Sequence, residues 1–176
     1  MSQIQSLASE IGASFTDAFA KAEAKSGGWK PDDGTYTCIL EALNISNDNL
    51  TFNTTNERDG ASVPAFGVSF TWRMTDDPSS PDGPRAFRSR MEVLPKNPAQ
   101  IQNQDRLAAA QTKMGVVKGQ LQTILGHEVK DLVPALLELD ALVADSLKDG
   151  GVAITCQVQV KTNGKFVNYY VNGRTS

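Results

Sequence analysis

Two aromatic residues, Phe166 and Tyr170, lie in a stretch from Val152 to Val171 that is otherwise rich in amides, valines and lysines. Within it, Asn163-Gly164 is the dipeptide that most favours a two-residue β-hairpin, because both central residues of such a turn adopt positive φ. Counting outward from that turn, Lys161 faces Phe166, Gln159 faces Asn168, Val158 faces Tyr169 and Gln157 faces Tyr170. Side chains alternate across a sheet, so one face takes Cys156, Val158, Val160, Val167, Tyr169 and Val171. That face needs a core. The other takes Gln157, Gln159, Lys161, Phe166, Asn168 and Tyr170, with Lys165 at the turn. Flat rings with donors and cations beside them have the chemistry of single-strand nucleic-acid binding, in which bases stack and phosphates are paired. The same rings serve equally well as packing beneath a helix, since aromatics are ordinary strand residues.

A second basic group lies earlier in the chain. Phe66, Val68, Phe70, Trp72 and Met74 alternate with Gly67, Ser69, Thr71 and Arg73, and from Ala86 to Leu94 the alternation resumes with Arg88, Arg90 and Glu92 on one side. Thr75 to Pro84 between them, dense in Pro and Asp, reads as an exposed loop. Antiparallel pairing across that loop predicts Arg73, Arg88 and Arg90 on one surface, where guanidinium forks match phosphate oxygens. Glu92, Asp76, Asp77 and Asp82 are the acids at hand to neutralise them.

Little else points to catalysis. His127 is the only histidine, and no phosphate-binding glycine loop or dinucleotide fingerprint occurs. Cys38 and Cys156 stand far apart in strand-like segments, without the paired spacing of a zinc site, and read as buried thiols. Asp32-Asp33 and Asp76-Asp77 fall in turns, where Asp is favoured for local hydrogen bonding. The expectation is a protein without a cofactor or metal that is not an enzyme; a nuclease with a metal held by acids from distant loops is the catalytic alternative.

The elements that must position these groups follow from periodicity. Ile4 to Lys25 carries Ile4, Leu7, Ile11, Phe15, Phe19 and Ala22 at helical steps, and Ser26-Gly27-Gly28 ends it. This divides the chain into an amphipathic N-terminal helix with its hinge (1–28) and a body (29–176). The helix has two uses open to it, packing on the body or self-association. Thr35 to Ile45 reads as a strand, Ser46 to Asn49 as a polar turn, and Leu50 to Thr55 as a second strand. Ile101 to Leu125 and Leu132 to Lys148 read as helices, the first weakened at Gly115 and Gly119, the second apolar round most of its girth and therefore buried. The predicted class is mainly β with helices (α+β): a five- or six-stranded barrel of the oligonucleotide-binding kind with inserted helices. An open sheet with helices on one face is the alternative.

The 176 residues carry a net charge of −3, so no global field draws nucleic acid and any binding must be local. No apolar run of membrane-spanning length and no secretion signal is present, so the expectation is a cytoplasmic protein with no membrane partner.

Trp29-Lys30-Pro31-Asp32-Asp33-Gly34-Thr35-Tyr36, Lys118-Gly119-Gln120-Leu121 and Val158 to Asn168 together resemble motifs of phage-type single-stranded DNA-binding proteins. In that family such a segment enters the first strand, a helix lies between strands and a lysine-bearing hairpin closes an oligonucleotide-binding barrel. The resemblance implies single-stranded DNA as partner and replication or recombination as setting. It covers roughly Trp29 to Val171 and departs from bacterial single-stranded DNA-binding proteins, which end in a disordered acidic tail, so recruitment of partners through such a tail is not expected. On this reading Phe166 and Tyr170 stack on bases, Lys161, Lys165, Arg73, Arg88 and Arg90 meet phosphates, and Gln157, Gln159 and Asn168 supply adaptable hydrogen bonds. The rival reading is a protein-interaction or virion structural module that assembles through the N-terminal helix.

Overall fold

The computed structural model describes residues 20, 30–57 and 60–175. The predicted N-terminal helix and Trp29 lie outside the described residues.

Alternation of apolar and polar residues yields six strands: β1 (Gly34–Asn53), β2 (Ser62–Met74), β3 (Ala86–Arg88), β4 (Glu92–Pro95), β5 (Thr155–Asn163) and β6 (Phe166–Arg174). They form one antiparallel sheet in the order β3-β2-β1-β5-β6, and β4 also pairs with β2. Among the described residues the sheet is not closed, since no ladder joins β3 or β4 to β6. Its ends still meet: the Phe87 ring of β3 stacks on that of Tyr169 of β6, with centroids 5.7 Å apart.

Two helices, α1 (Gln104–Leu125) and α2 (Leu132–Ser146), occupy the long connection between β4 and β5. The Asn103 side chain caps α1 by accepting from the Arg106 N–H at 3.0 Å, and Gly126 ends it in the left-handed conformation that glycine tolerates. α1 packs against both β4 and β6, so it bridges the unpaired ends of the sheet. Trp72, Phe70, Leu40, Leu121, Ile124 and Leu139 are fully buried between sheet and helices. Each contributes about 1.5–3 kcal/mol of hydrophobic stabilisation. Cys38 and Cys156 lie directly opposite each other on β1 and β5, both wholly buried.

Several elements depart from the sequence expectation for identifiable reasons. The predicted pair of strands at Thr35–Ile45 and Leu50–Thr55 is one bent strand. The polar stretch between them is absorbed as an irregularity, with pairing to β2 jumping from Ser46–Gly67 to Leu50–Ala65. Asn49 makes this possible by taking φ 59°. The predicted strand Ala86–Leu94 is instead broken into β3 and β4. At the break the Ser89 hydroxyl accepts from the Phe70 N–H at 2.9 Å, a side chain standing in for a ladder bond. Met91 lies so close over Gly67 that a Cβ there would sit 2.2 Å from its sulfur. α1 does not divide at Gly115 or Gly119 but runs unbroken. α2 buries Ala135, Leu139 and Val143 yet leaves Val133 and Leu137 exposed, so its expected burial on most of its girth is corrected to a single buried side.

Candidate nucleic-acid interface

The hairpin forms, but its turn sits one residue later than Asn163-Gly164 predicts. Asn163 pairs with Phe166, Gly164 and Lys165 form the turn, and Gly164 alone takes positive φ, 61°. Glycine at the first central position is the pattern of a type II′ turn, which twists with the strands as well as the expected type does. Moving the turn by one residue slides the pairing by two, and a two-residue slide preserves parity. Lys161 therefore faces Asn168 and Gln159 faces Tyr170, while membership of the two faces is as expected. Cys156, Val158 and Val160 are buried, and the polar–aromatic face points outward.

On that outer face Phe166 is 59% exposed and Tyr170 46%. Among the described residues no helix covers them. Gln159 lies between Thr35 of β1 and Tyr170 of β6, giving a row that crosses three strands. Gln157 is held in place by donating from Nε2 to Thr37 Oγ1 at 2.7 Å. Lys161 and Lys165 are exposed, and Asn168 is half-buried. At the near end of the row the Asp33 carboxylate accepts from both the Thr162 N–H and its hydroxyl, the latter at 2.7 Å. Those bonds hold its pKa below the ordinary 3.8. Asp33, read in sequence as satisfying a local turn, thus ties the start of β1 to the hairpin.

The arginines separate. Arg90 reaches the hairpin, with its guanidinium 5.2 Å from the centre of the Phe166 ring, a cation–π contact between the two ends of the sheet. Arg88 is exposed on β3 opposite Thr71. Arg73 shares that outer face but is occupied: it forks onto the Glu41 carboxylate and donates from Nη1 to the Pro84 carbonyl at 2.6 Å. The acid that neutralises it is none of those singled out in the sequence. Of those, Asp77 organises its own loop instead, accepting from Arg85 Nε at 2.8 Å and from Ser79 Oγ at 2.9 Å. Arg85 above all holds the Asp77 carboxyl well below the usual carboxylate range.

Beside these residues a groove of about 440 Å³ runs between the β3–β4 segment and β6, lined by Arg90, Asn168, Tyr170, Gly115, Gly119 and Gln120 among others. A Cβ on either glycine would meet nothing within 4 Å, so the α1 side of the groove is open. No family model, curated protein or solved structure matches the chain.

Two cations of α1 were not singled out in the sequence. Arg106 and Lys113, seven residues apart on α1, both lie over the Phe52 ring, at 4.8 and 5.6 Å. Burial above all pushes the Lys113 pKa down, and the charges of Arg90 and Arg106 push the same way while Glu92 opposes them. Their helical spacing was readable, but their approach to Phe52 depends on the start of α1 lying beside the end of β1, where Arg106 Nε donates to the Asn53 carbonyl at 3.2 Å. His127 clasps the α1–α2 connection, with Nε2 2.8 Å from the Glu138 carboxylate. Among the described residues no group of His, Cys, Asp or Glu is arranged to hold a metal ion, and no helix is long and apolar enough to cross a membrane.

Proposed function

We propose that the chain binds single-stranded DNA with little sequence preference, protecting or organising it during replication or recombination of a phage-like genome. The observation that carries this reading is the exposure of Phe166 and Tyr170 together on the outer face of a hairpin whose other face packs on the core. Two large aromatics left in solvent on one face offer successive stacking platforms, and stacking is indifferent to base identity. Arg90 over Phe166 adds a guanidinium plane that bases also stack upon. Lys161, Lys165 and Arg88 supply phosphate contacts, Gln157, Gln159 and Asn168 adaptable hydrogen bonds, and the sheet works as a partly open barrel with α1 filling its seam. Arg73 is left out of the contact set because Glu41 already holds it.

The test is a titration of the protein against a fluorescent single-stranded oligonucleotide at low and moderate salt, with duplex as control. Binding in the micromolar range that weakens as salt rises is expected, since phosphate contacts release counterions. Replacing both Phe166 and Tyr170 by Ala should cost about 1–3 kcal/mol per stacked base, roughly five- to 150-fold in affinity for each ring. The variant should remain folded, because both rings are exposed. Absence of binding sinks the proposal.

The exposed Val133 and Leu137 on α2 favour a second reading, a protein-interaction or virion structural module. Self-association in the absence of any oligonucleotide affinity is its expected signature.

A further inference from the structure

A second concavity, of about 350 Å³, opens on another side of the molecule between the end of β4, α1 and the α1–α2 connection. Its walls are apolar: Phe66, Leu94, Met114, Val129 and Leu132, with Pro95 and Pro98 stiffening one side. Its rim carries Lys96, Lys118 and Lys130, all exposed, and among the described residues no acid lines it. None of the three lysines is paired with a described carboxylate. In a chain of net charge −3 these are three lysines without an ion-pair partner among the described residues, gathered beside an apolar hole.

We infer that this pocket is a docking site for an acidic peptide segment of a partner protein, which inserts a bulky apolar side chain and sets its carboxylates against the lysine rim. The distribution of charge selects that occupant. The lysines come from three separate segments and ring the opening, whereas an amphiphile with a single anionic head calls for cations gathered at one end. A nucleic-acid strand would use the lysines but leave the apolar walls without a partner. The walls are also fixed in advance: the Lys96 N–H donates to the Pro64 carbonyl at 2.9 Å, and the Gln122 side chain accepts from the Val129 N–H at 3.1 Å, pinning the connection that carries Lys130. Preorganised walls lower the ordering cost of binding.

The test uses the full chain and a fluorescein-labelled peptide with Phe-Leu at its centre and two Glu on either side, followed by anisotropy. Saturable binding is expected, weakened roughly thirtyfold when Phe-Leu becomes Ala-Ala, as for a buried anchor. Lys96→Glu/Lys118→Glu/Lys130→Glu should weaken it about tenfold or more while leaving thermal unfolding unchanged, since all three are surface charges. An unlabelled single-stranded oligonucleotide should not displace the peptide. No saturable binding up to about 1 mM, the weak limit of specific association, overturns the inference. So do equal binding of the Ala-Ala peptide, indifference to the triple variant, or displacement by the oligonucleotide, which would assign the lysines to the nucleic-acid surface. Because the peptide titration reads without DNA, its outcome is independent of whether the oligonucleotide itself binds.

Discussion

Arg73 and Arg90 have the same chemistry and different availability. The Arg73 guanidinium is spent on Glu41 and the Pro84 carbonyl, whereas Arg90 lies over an exposed ring at the rim of the groove. Arg90→Ala should therefore weaken single-strand affinity and reduce the slope of log affinity against log salt by about one phosphate contact. Arg73→Ala should leave affinity and slope as they are and lower stability by about 1 kcal/mol, the upper end for a pair that is still partly solvated. A salt titration of both variants separates them, and equal losses would show that the Glu41 pairing opens to admit phosphate. The sequence placed both arginines on one outer face by alternation alone. It gave no sign of Glu41 because that pairing depends on Ile39 standing opposite Arg73, and cross-strand register is not written in either strand separately.

At the scale of elements, α1 carries two glycines that its packing does not require. A Cβ at Gly115 or Gly119 meets nothing within 4 Å, so Gly→Ala at either should stabilise the helix by about 1 kcal/mol, the difference in intrinsic propensity. Thermal or denaturant unfolding reads this directly. Leu in place of either glycine should instead obstruct the groove and lower oligonucleotide affinity with no loss of stability, since leucine is nearly as good a helix former as alanine. The loop between β2 and β3 makes a different prediction. Arg85 and Ser79 hold the Asp77 carboxyl below its ordinary value of 3.8, so the stabilisation from this cluster is full above that value and is lost as pH falls through the depressed pKa. Asp77→Asn should lower the unfolding temperature at pH 7, and the gap to the parent protein should narrow progressively below about pH 4. A gap that stays constant on acidification would show that the loop is held by something other than the charged carboxylate. Elements of this kind were unevenly legible. The alternation from Phe66 to Met74 and the helical pattern ending at Gly126 gave β2 and α1 nearly as they stand. The break at Ser89 was hidden because alternation continues through it, and the exposed side of α2 was hidden because apolar periodicity marks what can be buried without saying what covers it.

At the scale of the molecule, the sheet brings its two ends together without joining them. Phe87 on Tyr169 and Arg90 on Phe166 span the seam with side chains, and α1 lies across it. The candidate interface and the seam are thus neighbours, which explains why residues almost eighty positions apart in sequence, Arg90 and Phe166, share one surface. The molecule also contains its own reporter of opening. Cys38 and Cys156 meet across the central β1–β5 ladder, and burial pushes their thiols up to about 12 and about 11. At neutral pH the reactive thiolate is therefore almost absent from the folded chain. An aromatic disulfide reagent should leave both sulfurs untouched in buffer and modify both at a common rate as denaturant is added, making colour release a clock for separation of the two central strands. Two well-separated rates would reveal that one side of the ladder yields before the other.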